Sequence, residues 1–221
     1  PKFQPLAAFV GEGHHDELFL YSKVALSYFK SHNEISNHEL PLKPAQHLLP
    51  IGTGNKLLFP GKIIGFENNQ GSEKIILSDT GNNRIIIMEI DGTVEHIIGG
   101  CSSGFEDGDF QDARFNGPQG ICTLDDRIYV ADNENHAIRV IELATQTVTT
   151  IVGTGVQGHD YQGGKIGKEQ VISSPWDLAV YWHEELVNHQ TKSVPVLIIA
   201  MAGTHQIWAY FFENTHWWKN R

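Results

Sequence analysis

Three copies of one strand–turn–strand hairpin run along the chain. In the clearest, the apolar run Ile128 to Ala131 enters a polar linker, Asp132 to Ala137, and a second apolar run, Ile138 to Leu143, leaves it. The same pattern stands before it at Ile75-Ile-Leu-Ser-Asp79-Thr-Gly-Asn-Asn-Arg-Ile85. It stands after it at Leu197-Ile-Ile-Ala-Met201-Ala-Gly-Thr-His-Gln-Ile207. Self-similarity at a fixed spacing marks a repeat architecture, because each unit must bury its apolar faces against its neighbours.

Each hairpin is opened by a proline turn, and Pro60, Pro118 and Pro175 keep nearly even spacing. The units close at Val94–Gly100 and Val148–Gly153, and the third ends in Trp208–Phe212. A complete unit holds about four short strands parted by Gly, Asp or Asn turns, which is the layout of a propeller blade. The expected fold is therefore mainly β, a partial β-propeller of about three blades over 57–221, with blades near 57–100, 101–155 and 156–212. His183 to Pro195 reads as a hydrophilic insertion lengthening the first connection inside the third blade.

Residues 1–33 follow another pattern. Leu6 to Val10 suits a short strand, and the apolar spacing from Leu18 to Phe29 predicts an amphipathic helix from Glu17, with Asp16 as N-cap, ending near Ser31–Asn33. One strand and one helix cannot bury a core alone. Residues 34–56, with Pro41, Pro44 and Pro50, read as a linker. The chain opens on Pro1-Lys-Phe-Gln-Pro5 without an initiator Met or a signal-peptide pattern, and reads as a piece of something longer.

A net charge of −10 with 16 scattered Lys and Arg argues against a phosphate-backbone partner, so no nucleic acid is expected. No apolar run is long enough for a membrane-spanning helix. Two cysteines, Cys101 and Cys122, make no disulfide framework and suit a reducing compartment, hence a cytosolic protein.

The second unit carries Gly104, Asp107-Gly108, Ala113-Arg-Phe115, Pro118-Gln-Gly120, Tyr129-Val-Ala-Asp132, Asn135-His136 and Ile138-Arg139. These residues resemble the NHL repeat. Gly11-Glu-Gly-His14, Leu18-Phe-Leu-Tyr21, Leu57-Leu-Phe-Pro-Gly-Lys62 and Ala200-Met-Ala-Gly-Thr-His-Gln-Ile-Trp208 resemble an NHL family that joins a thioredoxin-like domain to a six-bladed propeller. The resemblance implies that residues 1–33 close a thioredoxin-like domain whose redox loop lies upstream. It also implies that the propeller is a protein-interaction scaffold. A thiol-disulfide oxidoreductase and a metal-dependent propeller lyase are the enzymatic alternatives, and no catalytic residue, cofactor or metal is assigned here.

Asp79 and Asp132 stand at matching turn positions. Their repetition favours a structural role over cation binding: each carboxylate is expected to accept backbone N–H groups of its own turn and to pair with Arg84 or Arg139. Asn82, Asn135, His136 and His205 complete the repeat-turn set, and Pro60, Pro118, Gly120 and Pro175 the blade-opening turns. His136 and His205 are too few for zinc, which takes three or four ligands. The acidic stretch Glu106–Asp109 with Asp112 lacks the ligand spacing of a calcium loop and reads as a solvated connection. Trp176 and Trp208 are expected between blades, and Cys122 in the core. Three blades leave both flanking blade faces open, which predicts a protein or peptide partner on a propeller face and self-association through the open edges.

Overall fold

A computed structural model describes residues 14–34, 57–67, 71–100, 102–187, 190–212 and 217–219. The chain divides into two compact units, Pro1–Lys56 and Leu57–Arg221. In the first, α1 spans His15–Ser31, with Asp16 and Glu17 in its first turn and Lys30 in its last, complementing the helix dipole at both ends. The helix begins earlier than the sequence suggests. His14, not Asp16, is the N-cap, and its Nδ1 meets Glu17 Oε2 at 2.7 Å. The short strand expected at Leu6–Val10 and the linker beyond residue 34 lie outside the described residues.

The second unit is three antiparallel sheets, each a meander in chain order. The first comprises β1 (Pro60–Glu67), β2 (Glu73–Asp79), β3 (Arg84–Glu89) and β4 (Val94–Gly99). The second takes a two-residue strand, β5 (Gly108–Asp109), ahead of β6 (Pro118–Leu124), β7 (Arg127–Asp132), β8 (Ala137–Glu142) and β9 (Thr147–Gly153). β5 adds to the outer edge at β9, giving the order β5-β9-β8-β7-β6. The third is β10 (Pro175–Val187), β11 (Gln190–Met201), β12 (Gln206–Phe211) and β13 (Trp217–Lys219), so its fourth strand comes from beyond residue 212. The insertion at His183–Pro195 is strand, not loop: β10 and β11 stay paired from Trp182↔Pro195 out to Val187↔Gln190. Pro195 sits past the last β11–β12 pair, Val196↔Phe211, where a missing N–H costs the ladder nothing.

Alternation along each strand builds the core, because successive side chains point to opposite faces. In the middle sheet Ile128 and Val130 pack with Phe66, Ile76, Ile85, Ile87 and Ile98 of the first sheet. Their chain neighbours Tyr129 and Ala131 pack with Leu178, Leu197, Ile199, Met201 and Trp208 of the third. The middle sheet is thus buried on both faces, as a blade between blades must be. The three first strands, β1, β6 and β10, gather at one edge of the stack, and this is a partial β-propeller with β1, β6 and β10 innermost.

Candidate functional site

The described residues bring the repeat turns and blade-opening prolines into one network with the same connections in successive blades. Asp79 Oδ1 accepts the backbone N–H of Leu58 at 2.7 Å, and Asp132 Oδ1 that of Asn116 at 2.8 Å. Leu58 and Asn116 each lie two residues before the opening proline. Their carbonyls in turn accept the N–H of Gly81 and Glu134. The carboxylates therefore do not cap their own hairpins, as the sequence suggests. They tie each hairpin to the start of the innermost strand of its blade.

The second carboxylate oxygen takes a side-chain amide and a guanidinium: Asn82 and Arg84 in the first blade, Asn135 and Arg139 in the second. The arginines are not equivalent in register. Arg84 pairs with Asp79 across the strands, whereas Ala137 pairs with Asp132 and Arg139 lies two residues further along. Arg139 is fully buried, its Cζ 5.2 Å from the rings of Phe105 and Phe115. It donates to Asp132, to the carbonyls of Arg114 and Glu106, and to Asp107. Burial pushes the Asp132 carboxyl up to about 6, against the pull of Arg139, Asn135 and the Asn116 N–H.

The third blade replaces this pair with apolar residues. Met201 stands where Asp132 stands and Trp208 where Arg139 stands, and both are buried in the second core cluster. Substituting hydrophobic side chains for a buried ion pair removes two desolvation penalties. It also orphans Thr204, the counterpart of Asn135, whose buried Oγ1 has no hydrogen-bond partner among the described residues.

A second set of bonds runs between blades. Asn83 and His136 occupy the left-handed turn position, with φ of 53° and 48°. Asn83 Oδ1 accepts the Gly117 N–H at 2.8 Å, and His136 Nδ1 accepts the Ser174 N–H at 3.0 Å. Gly117 and Ser174 each precede an opening proline. One residue after the turn aspartates, Thr80 and Asn133 donate to the carbonyls of Pro118 and Pro175 in the next blade. Each junction is thus a two-bond clasp.

Two residues after each proline the chain places Lys62, Gly120 and Asp177, at equivalent points of the three innermost strands. Lys62 Nζ reaches Asp177 Oδ1 at 2.5 Å, joining the first blade to the third. A Cβ on Gly120 would lie 2.6 Å from that same Oδ1 and 2.4 Å from the Asp177 Cα, so the bare backbone of the middle blade makes the bridge possible. Gln119 Oε1 lies beside Gly61. Trp176 stays about half exposed next to Asp177, whereas the sequence places it between blades. Burial pushes the Cys122 thiol up to about 12, with Lys62 pulling the other way, so it is no nucleophile at neutral pH.

Residues 115–141 match the NHL repeat family model. The middle blade carries an NHL repeat. The chain is 40% identical over 214 residues to NHL repeat-containing protein 2 of Homo sapiens, covering 97% of this chain and 28% of that protein. The same protein of Gallus gallus is 42% identical over 214 residues, with the same coverages. The chain thus spans little more than a quarter of the length of these relatives. A structural genomics protein from Bacteroides thetaiotaomicron superposes with a TM-score of 0.51 at 21% identity, over 62% of this chain and 32% of its own. That likeness supports the fold alone.

Within these blades, His136 spends a ring nitrogen on a backbone N–H, and His205 is exposed at the far turn of the third blade. Among the described residues no three His, Cys, Asp or Glu side chains gather as metal ligands. No described helix is long and apolar enough to cross a membrane. The acidic stretch is more than a solvated connection. Asp107 binds Thr150, Arg139 and Lys168, and Asp109 Oδ1 accepts the N–H groups of Gln111 and Asp112. Cys101 lies outside the described residues, as do the side chains of Trp217 and Trp218. Sequence reading missed Lys62, Asp177 and Gln119. Their signal was positional, two residues or one after the repeat proline.

Proposed function

We propose that this propeller is an interaction scaffold that takes a protein or peptide ligand at the mouth of its innermost strands. One observation carries the reading: half-exposed Trp176 directly precedes Asp177, whose carboxylate pairs with Lys62, on a frame locked by inter-blade clasps. Binding energy concentrates on aromatic anchors ringed by polar groups, and a rigid frame lowers the entropy cost of binding. The net charge of −10 turns phosphate-backbone ligands away and suits a protein partner. Residues 1–33 are proposed to close a thioredoxin-like domain, a reading supported by the similarity to much longer relatives that runs through this segment. A cytosolic setting is proposed on the cysteine usage.

The test is affinity capture with the full chain as bait, comparing wild type with Trp176→Ala and Lys62→Ala. The reading predicts a partner whose recovery falls at least about tenfold with Trp176→Ala while the bait melts unchanged. Equal recovery by all three baits would overturn it.

A further inference from the structure

The chain holds a single Asn-Gly pair, Asn116-Gly117, and it leads into the innermost strand of the middle blade. The equivalent pairs are Leu58-Phe59 in the first blade and Ser173-Ser174 in the third. Phe59, Gly117 and Ser174 all take the left-handed backbone, with φ of 48°, 62° and 44°, so the turn itself does not demand glycine. Gly117 packs under the Glu134 side chain, where an added Cβ would meet Cγ at 2.9 Å. Asn-Gly is also the pair in which a backbone nitrogen most readily attacks the preceding side chain, because glycine puts no Cβ in the way.

The fold withholds that attack. The peptide group between Asn116 and Gly117 is bonded on both sides: its N–H donates to Asn83 Oδ1 at 2.8 Å, and its C=O accepts the Glu134 N–H at 3.1 Å. The Asn116 N–H donates to Asp132 Oδ1 at 2.8 Å, which fixes the peptide before it. One residue on, the Pro118 carbonyl accepts the Thr80 hydroxyl at 2.6 Å. Attack requires the Gly117 nitrogen to give up its proton and the peptide plane to swing toward Asn116 Cγ. The bond to Asn83 keeps the proton where it is, and the two bonds together keep the plane from turning.

We propose that Asn116-Gly117 is a site of spontaneous deamidation and isoaspartate formation, kept silent by the clasp between the first and second blades. When the clasp opens, the Gly117 nitrogen bonds to Asn116 Cγ, the Cγ–Nδ2 bond breaks, and the side-chain nitrogen leaves as ammonia with the proton that Gly117 gave up. Water then opens the cyclic imide at either carbonyl, leaving aspartate or isoaspartate at position 116. Isoaspartate routes the main chain through the old side chain and lengthens it by one methylene. The former main-chain carbonyl becomes a carboxylate close to buried Asp132, and like charges there repel. The clasp does not re-form on that product, so the site turns an opening of the first junction into a permanent mark. The second junction, with Ser173-Ser174, carries no such chemistry. This inference rests on the clasp and not on the ligand at the mouth.

The experiment incubates the whole 221-residue chain in mildly alkaline buffer and follows residue 116 by peptide mass and by labelling with an isoaspartate-specific methyltransferase. Wild type is expected to react far more slowly folded than in urea. Asn83→Ala raises the folded-state rate about fivefold, one hydrogen bond's worth of opening. Thr80→Ala, which removes the other bond of the same clasp, raises it too, whereas Asn83→Asp keeps an acceptor and stays near wild type. His136→Ala loosens the other junction and leaves the rate at Asn116 as it was. Folded wild type reacting as fast as in urea overturns the proposal, as does an Asn116 that stays intact in urea. A rate unmoved by Asn83→Ala, or raised equally by His136→Ala, overturns it as well, because this clasp would then not be the gate.

Discussion

Arg139 Nη1 lies 2.8 Å from Asp132 Oδ2, and neither side chain is exposed. This pair holds the turn of the middle blade to the lead-in of its innermost strand and to the acidic connection carrying Asp107. Breaking a buried pair from one side leaves a desolvated charge, costing about 3–5 kcal/mol. Asp132→Ala is expected to fall in that range by urea unfolding. Asp132→Met combined with Arg139→Leu, which mimics the apolar solution of the third blade, is expected to cost less than the sum of the single changes. Additive losses would show that the two residues are not coupled.

Two glycines in innermost strands separate the effect of space from that of chain entropy. Gly120→Ala drives a Cβ into the backbone of Asp177 and should cost about 1–3 kcal/mol while parting Lys62 from Asp177. Gly65→Ala meets nothing within 4 Å and should be neutral or stabilising by about 0.5 kcal/mol. Thermal unfolding of both variants checks the contrast.

The clasp between the second and third blades needs an acceptor at residue 136, not an imidazole. His136→Asn, which copies Asn83 and tolerates the left-handed backbone, is expected within about 0.5 kcal/mol of wild type. His136→Ala strands the Ser174 N–H and should cost about 1–3 kcal/mol. A metal-ligand role would instead show both variants equally impaired and zinc lost from both.

Acid acts on this chain through two carboxyl groups shifted in opposite directions, Asp107 downward and Asp132 upward. Burial raises Asp107, but the hydrogen bonds from Lys168 and Thr150, with the charge of Arg139, outweigh it and hold its carboxyl below the ordinary range. Its contribution is thus present above the ordinary carboxylate range and is lost as pH falls through its depressed value. Asp132 is raised to about 6, so the folded state takes up its proton first, and its contribution declines as pH rises from about 4 to 6. Asp107→Asn should flatten the loss of stability on the acid side, measured by urea unfolding across pH. An unchanged acid limb would contradict the assignment.

Much of the fold was legible because a blade is a local object. The alternation that buries Ile128 and Tyr129 on opposite faces is written residue by residue, and the prolines mark each innermost strand. The candidate site was less legible because its bonds join residues far apart in sequence. The partner of Asp132 is Asn116, 16 residues back, and that of His136 is Ser174, 38 residues on. Nothing local distinguishes an arginine at the first position after the turn, as Arg84, from one two residues later, as Arg139. Both reach the carboxylate because a guanidinium is long. The bridge from Lys62 to Asp177 spans 115 residues and depends on a missing side chain at Gly120, which reads in sequence as a turn glycine.

The account rests on consecutive repeats being blades locked by turn-to-proline clasps, and amide hydrogen exchange tests this most directly. The Gly117 and Ser174 amides sit in connections, where exchange is ordinarily fast. If they donate to Asn83 and His136 they exchange slowly, and Asn83→Ala releases Gly117 while leaving Ser174 protected. Free exchange of both amides in the wild-type chain would contradict the account.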